Sequence, residues 1–225
     1  DSEYKPSFSR RVGKSLLLGR LPNALDLEDA AQHRSSLFGG VDKSPRTQQQ
    51  FEADLLARLL AVDPALPVWI EGESRKIGGV TIPEGLRLAM QHATCVLVTA
   101  SLETRVSRII AEYTGSEGGQ HLPEAVRGQL EGALRSLKPF FGAGRTEELV
   151  AQLQAGDLRP LVRTLLEEHY DPRYRHAMRI YRYALTVSSE DLDAAAAELS
   201  AFGRAIPALG AEGGDPLAAA ASPGS

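Results

Sequence analysis

Several features are scarce in this sequence, and each scarcity excludes a class of protein. Only one of the 225 residues is a cysteine, Cys95, so no disulfide framework and no cysteine-based zinc site is expected. No apolar run approaches the roughly 18 residues of a membrane span, and no apolar signal core opens the chain. A positive excess is also missing, because 25 basic and 29 acidic residues leave a net charge of −4. We therefore expect a cytoplasmic globular protein that binds no nucleic acid through its overall charge.

The first half of the chain alternates predicted helices with short apolar runs. The runs at 68–70 and 95–99 predict buried strands. Strands that alternate with helices of ten to fifteen residues indicate a parallel sheet covered on both faces. The predicted helices, from their apolar spacing, cover 47–62, 83–92 and 102–113.

The second half reads as helical. One apolar stripe runs from Leu122 to Leu137, a second helix covers 158–169, and 182–187 is a candidate late strand. Ser188 and Asp191 form a capping-box pattern that opens a last helix, which ends at Phe202. We predict an α/β fold with a P-loop-type parallel sheet flanked by helices and a helical C-terminal subdomain. The predicted parts are a P-loop-like domain (1–120), the helical subdomain with its strand (121–202) and a disordered tail (203–225).

Gly13-Lys14-Ser15 matches the second half of a phosphate-binding loop. In such loops backbone amides and the lysine hold phosphates, and the hydroxyl holds magnesium. The first half is missing, since Phe8 stands where the motif requires glycine. Chance occurrence and a working phosphate site are equally open from these residues.

Two further features lie where parallel sheets place ligand-binding groups. Glu71 and Glu73 follow the strand at 68–70 and share one face of an extended segment, which makes them candidate magnesium ligands with Ser15. A solvated strand end is the competing interpretation. Arg105 and Arg108 lie one turn apart on the helix after the second strand, where phosphate-transferring folds hold an arginine, although most such pairs are on the surface.

The segment 169–183 has the most distinctive local composition. It holds four arginines and four of the six tyrosines, and its local charge is +3 within an acidic chain. Guanidinium groups pair with phosphates and rings stack on unpaired bases, so this mixture suits RNA. Ordinary core packing is an equally good interpretation. The five histidines form no metal-binding pattern, and Cys95 inside an apolar strand is expected to be inert.

Several motifs together resemble one family. The chain is similar to the C-terminal P-loop region of bacterial, selenophosphate-dependent tRNA 2-selenouridine synthase, and the similarity continues to about residue 190. The motifs that carry it are Gly13-Lys14-Ser15, Leu25-Asp26-Leu27-Glu28, His33-Arg34-Ser35-Ser36, Phe38-Gly39, Gln50-Phe51-Glu52, Trp69-Ile70-Glu71, Glu73-Ser74-Arg75, Ile77-Gly78, Ile82-Pro83-Glu84 and Tyr170-Asp171-Pro172 with Tyr174.

The resemblance implies a transferase that converts wobble 2-thiouridine in tRNA to 2-selenouridine with selenophosphate, and that geranylates the thio base from geranyl diphosphate. It also implies a rhodanese domain with a reactive cysteine, in cis or in trans, which is not in this chain. The chain departs from the family's loop at Phe8 and Arg11.

From this resemblance we expect distinct roles for three groups of residues. Gly13, Lys14 and Ser15 would bind phosphate or diphosphate, and Ser15, Glu71 and Glu73 would bind Mg²⁺. The residues expected to contact tRNA are Arg34, Arg75, Arg173, Tyr174, Arg175, Arg179 and Arg182.

The sequence leaves two alternatives to this enzyme function. One is a non-catalytic RNA-binding remnant, and the other is a small-molecule P-loop kinase.

Overall fold

The computed structural model describes residues 13–34, 38–72, 75–115, 122–173 and 181–206. Its helices are α1 (Lys14–Leu18), α2 (Leu27–Ala31), α3 (Gln48–Leu60), α4 (Glu84–Gln91), α5 (Leu102–Thr114), α6 (Glu124–Arg135), α7 (Lys138–Phe141), α8 (Ala143–Ala155), α9 (Leu158–Thr164) and α10 (Leu192–Ala205). A π-helical segment, Leu165–Tyr170, continues directly from α9. The strands are β1 (Ala24–Leu25), β2 (Trp69–Ile70), β3 (Lys76–Ile77), β4 (Val80–Thr81), β5 (Cys95–Thr99) and β6 (Tyr183–Ser188).

The chain has the predicted α/β class. Within the described residues, β1 pairs with β2 and β5 pairs with β6, in both cases in parallel. The two pairs contribute side chains to one apolar cluster, in which Trp69, Val96 and Leu185 pack around buried residues of α1 and α10. β2 and β5 are half-buried along their whole length, rather than fully buried as predicted.

A short antiparallel hairpin was not expected from the sequence. β3 and β4 pair through Ile77 and Val80, and both residues lie in a second cluster with Leu27, Phe51 and residues of α2 and α3. Two-residue strands carry too little alternation to be recognised as strands. The hairpin therefore packs its apolar side chains against α2 and α3.

The largest cluster lies among the helices of the second half. It joins α5 and residues before α3 to α6, α8, α9 and the π-helical segment, with Leu134, Leu149 and Leu153 almost completely buried. Within the described part of the chain, no helix is long and apolar enough to cross a membrane.

The predicted ends of α3, α4 and α5 lie within two residues of the observed ends. Thr47 caps α3 in a capping box with Gln50, and Gly115 ends α5 in the left-handed conformation. The cap predicted for the last helix was wrong in part: Ser188 is the final residue of β6, and the Asp191 carboxylate alone accepts the amides of Asp193 and Ala194. The predicted disordered tail lies outside the described residues from 207 onwards.

Candidate functional site

Gly13 forms the turn that leads into α1. Its φ of 88° lies in the left-handed region that favours glycine, and the Leu17 amide donates to its carbonyl at 2.8 Å. Lys14 is half-buried and Ser15 is exposed. A glycine turn that runs directly into a helix is the local geometry of the second half of a phosphate-binding loop. Phe8 and Arg11, which interrupt the first half, lie outside the described residues.

An arginine from α5 lies against this turn. A Cβ atom on Gly13 would come within 2.8 Å of Arg108 Nη1. The same guanidinium donates to Ser189, from Nη1 to Oγ at 3.0 Å and from Nη2 to the carbonyl at 2.5 Å. Arg108 therefore brings a positive charge to the turn at Gly13. That this arginine serves a phosphate site, as the sequence pattern suggested, stays a prediction.

Ser189 holds Arg108 from the ends of the paired strands. It is fully buried just after β6, and its hydroxyl donates to the Thr99 carbonyl at the end of β5 over 3.0 Å. The next residue, Glu190, accepts hydrogen bonds from the Ser101 amide and the Thr104 hydroxyl at the start of α5. These hydrogen bonds hold the pKa of the Glu190 carboxyl below its usual range. Sequence reasoning missed Ser189 because its role depends on the pairing of β5 with β6.

Arg105 faces a different partner from Arg108. Its side chain is nearly buried and binds the Asp171 carboxylate in a bidentate manner, from Nη2 to Oδ1 at 2.5 Å and from Nη1 to Oδ2 at 3.1 Å. The Tyr170-Asp171-Pro172 motif thus connects α5 to the segment after α9. The Asp171 carboxylate therefore occupies the Arg105 guanidinium.

Glu71 binds the start of α2. It is 4% exposed, and its Oε1 accepts the Glu28 amide at 2.8 Å, while Asp26 accepts the Asp29 amide one residue further on. Carboxylates are favourable at this end of a helix. Glu73 lies outside the described residues. Among those the structure does describe, no group of three or more His, Cys, Asp or Glu side chains is placed to hold a metal ion, so the proposed Mg²⁺ ligation stays a prediction.

A histidine joins two glycine motifs that are distant in sequence. The ring of His33 packs on Gly78, where an added Cβ would lie 2.6 Å from the ring Cγ, and Gly78 itself has a φ of +57°. The His-Arg and Ile-Gly motifs named in the sequence analysis therefore meet in space beside α2. No local pattern predicts this contact, because it requires the β3–β4 hairpin.

The motifs at the Gly13 turn and at the contact between His33 and Gly78 are those of one family. The family model described as the tRNA 2-selenouridine synthase AAA domain matches residues 11–202. This chain belongs to that family. The match covers most of the chain and confirms the resemblance inferred from the sequence, along with the α/β class and tRNA as the family's substrate. No solved structure gives a significant match.

The predicted tRNA contacts of this family member fall into three groups. Arg75, Arg173 and Arg182 are exposed, and their contact with tRNA stays a prediction. The second group, Tyr174, Arg175 and Arg179, lies outside the described residues. Arg34 forms the third group and is treated separately below.

Arg34 is engaged inside the protein. Its side chain is 15% exposed, and it forms an ion pair with Glu112, donates to the Val41 carbonyl at 2.7 Å and lies over the Tyr113 ring at 5.1 Å. These contacts tie the loop before α3 to α5. The structure thus gives Arg34 a packing role, and its tRNA contact stays a prediction.

Arg173 belongs to an aromatic cluster that contains the buried His169. Arg173 Nη1 donates to His169 Nε2 at 2.8 Å, and its guanidinium lies over the ring of Phe140 at 5.1 Å. Burial, and then the charge of Arg173, lower the pKa of His169 to about 4, so the imidazole is neutral near pH 7 and accepts this hydrogen bond. Phe140 is 48% exposed, and no sequence pattern indicated its contact with His169 and Arg173.

Cys95 opens β5 in a half-buried position. Burial raises the pKa of its thiol above the usual value, and the thiol faces the Ala93 carbonyl at 3.7 Å. A raised pKa reduces the thiolate fraction, which is the reactive form. The inertness of this thiol stays a prediction, which the raised pKa supports.

Proposed function

We propose that this chain is the phosphate- and tRNA-binding part of a transferase that converts wobble 2-thiouridine to 2-selenouridine with selenophosphate, by way of a geranylated thiouridine made from geranyl diphosphate. Family membership supports the tRNA-modifying role. The observation that carries the proposal is the position of the Arg108 guanidinium against the turn at Gly13.

Both proposed donors carry phosphate, so one cationic feature can serve either. In the proposal Lys14 and Arg108 bind the phosphate oxygens, because charge-assisted hydrogen bonds are the strongest available to such an anion. Ser189 keeps Arg108 oriented, since it accepts one guanidinium nitrogen on its hydroxyl and another on its carbonyl. Ser15 is exposed in the first turn of α1, so its hydroxyl would contact the phosphate-containing substrate or a counter-ion of that substrate.

The tRNA would bind beside this feature through exposed arginines of the second half. Arg173 and Arg182 flank the segment 174–180, whose sequence adds further arginine and tyrosine side chains. Guanidinium groups on phosphates supply affinity, and aromatic rings stack on unpaired bases such as those of an anticodon loop.

The proposal assigns the thiol chemistry to a rhodanese domain, in cis or in trans. A nucleophilic cysteine needs a thiolate at neutral pH, and burial raises the pKa of Cys95. We therefore expect this chain, tested without a rhodanese partner, to bind tRNA without exchanging sulfur for selenium.

Calorimetry on a lysine variant tests the phosphate role. Lys14→Ala should weaken binding of geranyl diphosphate by about 1.5–3 kcal/mol, the value of a hydrogen bond to a charged group. Lys138→Ala, which removes the same charge from α7, should bind like the wild type. Equal titration curves for wild type and Lys14→Ala, or no binding by either protein, would contradict the proposed site.

A further inference from the structure

Phe140 of α7 presents an aromatic ring to solvent beside a guanidinium group. Among the Phe, Tyr and Trp side chains that the structure describes, it is the exposed one, whereas the others are buried or half-buried. Arg173, which is also exposed, places its guanidinium carbon 5.1 Å from the centre of the Phe140 ring. The two side chains come from different segments of the chain and form a cation–π pair at the surface.

Neighbouring rings hold this pair in place. The rings of Phe141 and His169 each lie 4.8 Å from the Phe140 ring, centre to centre, at nearly perpendicular angles of 88° and 83°. Arg173 Nη1 donates to His169 Nε2 at 2.8 Å, so the same histidine also fixes the guanidinium. His169 is 2% exposed, and Phe141 packs against the largest apolar cluster. The pair is therefore ordered before a ligand binds, which reduces the entropy cost of binding.

A flat aromatic ring is the chemical group that fits such a pair. Unpaired nucleobases stack on phenyl rings and on guanidinium planes, whereas the bases of a duplex already stack on one another. Lys138, which is exposed on the same short helix, and the two arginines in the sequence of 174–180 add positive charge for the adjoining phosphates. The surface at Phe140 therefore fits a single-stranded stretch of RNA.

We propose that Phe140 and Arg173 form a stacking platform for an unpaired base of the RNA substrate. The inference rests on the proposed function, which supplies tRNA as the partner. It adds a contact from α7, outside the segment 169–183 whose composition suggested RNA. Because the platform binds a base through its face, it favours unpaired RNA over duplex without reading the sequence.

The test compares two RNAs with the same number of nucleotides. One is a short hairpin with the single-stranded loop of an anticodon arm, and the other is a blunt duplex. Fluorescence anisotropy gives the Kd of each RNA for the full chain at several salt concentrations. Phe140→Leu keeps apolar bulk but removes the ring, so it should bind the hairpin at least about fivefold more weakly. Its binding to the duplex and its salt dependence should not change, because no charge is lost.

Three further variants separate stacking from charge and from folding. Phe140→Trp keeps a stacking ring and should bind the hairpin like the wild type. Arg173→Lys keeps the charge but loses the planar guanidinium, so hairpin binding should weaken more than duplex binding. Phe202→Leu is the matched control, since it makes the same change at a half-buried ring of α10, and it should bind both RNAs like the wild type. Circular dichroism establishes that each variant is folded.

The outcomes distinguish the platform from the proposed function. Wild-type binding of both RNAs, with hairpin binding unchanged in folded Phe140→Leu, would overturn the platform and leave the proposed tRNA binding intact. Equal weakening of hairpin and duplex binding would also overturn the platform. If Phe140→Leu does not fold, Arg173→Lys decides, and an unchanged preference for the hairpin overturns the platform. Failure of the wild type to bind either RNA would contradict the proposed tRNA binding and the platform with it.

Discussion

Gly13 allows a close contact that a side chain would prevent. Its positive φ strains any residue other than glycine, and a Cβ atom here would lie 2.8 Å from Arg108 Nη1, so the guanidinium would have to move. The consequence for function is that the cation of α5 approaches the backbone of the candidate phosphate loop directly.

Replacement of Gly13 by alanine should therefore destabilise the protein and displace Arg108. A left-handed conformation costs a non-glycine residue about 1–2 kcal/mol, and the displaced guanidinium adds to that cost. Gly128→Ala is the matched control, since Gly128 is exposed inside α6 with open space at its Cα, and it should stabilise by about 0.5–1 kcal/mol. Urea unfolding of both variants measures the two effects, and equal changes at the two positions would contradict the contact.

A second residue-scale prediction concerns His169 and pH. Between about pH 4 and pH 6.5 the unfolded chain protonates this histidine and the folded protein does not. Unfolding therefore takes up a proton in this range, and the free energy of unfolding falls as the pH is lowered from 6.5 towards 4. When the pH is lowered from about 7 to 5, the contribution of His169 to the free energy of unfolding should fall by roughly 1–2 kcal/mol.

The measurement is urea unfolding of the wild type and His169→Gln at the two pH values. The glutamine variant should lose less stability on acidification than the wild type, because it has no imidazole to protonate. An identical pH dependence in the two proteins would show that the His169 pKa is not lowered.

Among the elements, the stretch from the π-helical segment to β6 combines packing with the candidate tRNA surface. His169 and Tyr170 pack against aromatic and apolar side chains, whereas Arg173 and Arg182 are exposed at the two ends. A π-helical turn is rare and is frequent at functional sites. The structure thus gives the described part of this stretch a packing role, and its RNA contact stays a prediction.

Replacing Arg173, Arg175 and Arg179 by alanine should weaken tRNA binding and reduce its dependence on salt. Each lost phosphate contact removes about 0.7–0.9 from the slope of log K against log salt concentration, so the slope should fall by roughly 2–3. The control removes the same charge at Arg145, Arg159 and Arg163, which form ion pairs with glutamates. A control variant that loses as much affinity and slope as the test variant would mean that net charge, rather than this segment, governs binding.

For the whole molecule, the described residues form three apolar clusters, and the largest of them is bordered by a nearly buried ion pair. This pair is Arg105–Asp171, which joins α5 to the end of the π-helical segment. Arg105 is nearly buried, so its charge depends on this carboxylate for compensation.

Removal of the partner by Asp171→Ala should lower the free energy of unfolding by about 2–3 kcal/mol, because the arginine is left buried without a carboxylate. Glu103→Ala breaks an exposed ion pair with Arg159 instead and should cost less than about 1 kcal/mol. Chemical unfolding of the two variants makes the comparison. Similar small losses in both would show that Asp171 is replaceable by solvent.

The sequence by itself determined the class of the protein and much of its local structure. Apolar periodicity and end signals predicted α3, α4, α5 and β5 almost to the residue, because helical spacing, Thr47 and Gly115 act over a few residues. The combination of short motifs was enough to indicate the family. It also indicated Gly13 and Arg108 as candidate site residues, since glycine turns and arginines after strands are local patterns.

Only the tertiary structure decided which of these residues act together. Arg105 and Arg108 are equivalent in the sequence, yet Arg105 binds Asp171 whereas Arg108 lies against Gly13 and Ser189. The sequence does not show these partners because Asp171 is 66 residues from Arg105 in the chain and Ser189 is 81 residues from Arg108. The same holds for Glu71 at the start of α2, for Arg34 against Glu112, and for the packing of α5, α6, α8 and α9 into one cluster. Helical spacing shows which face of a helix is apolar, but whether two such faces meet tightly or leave a space depends on how the helices pack.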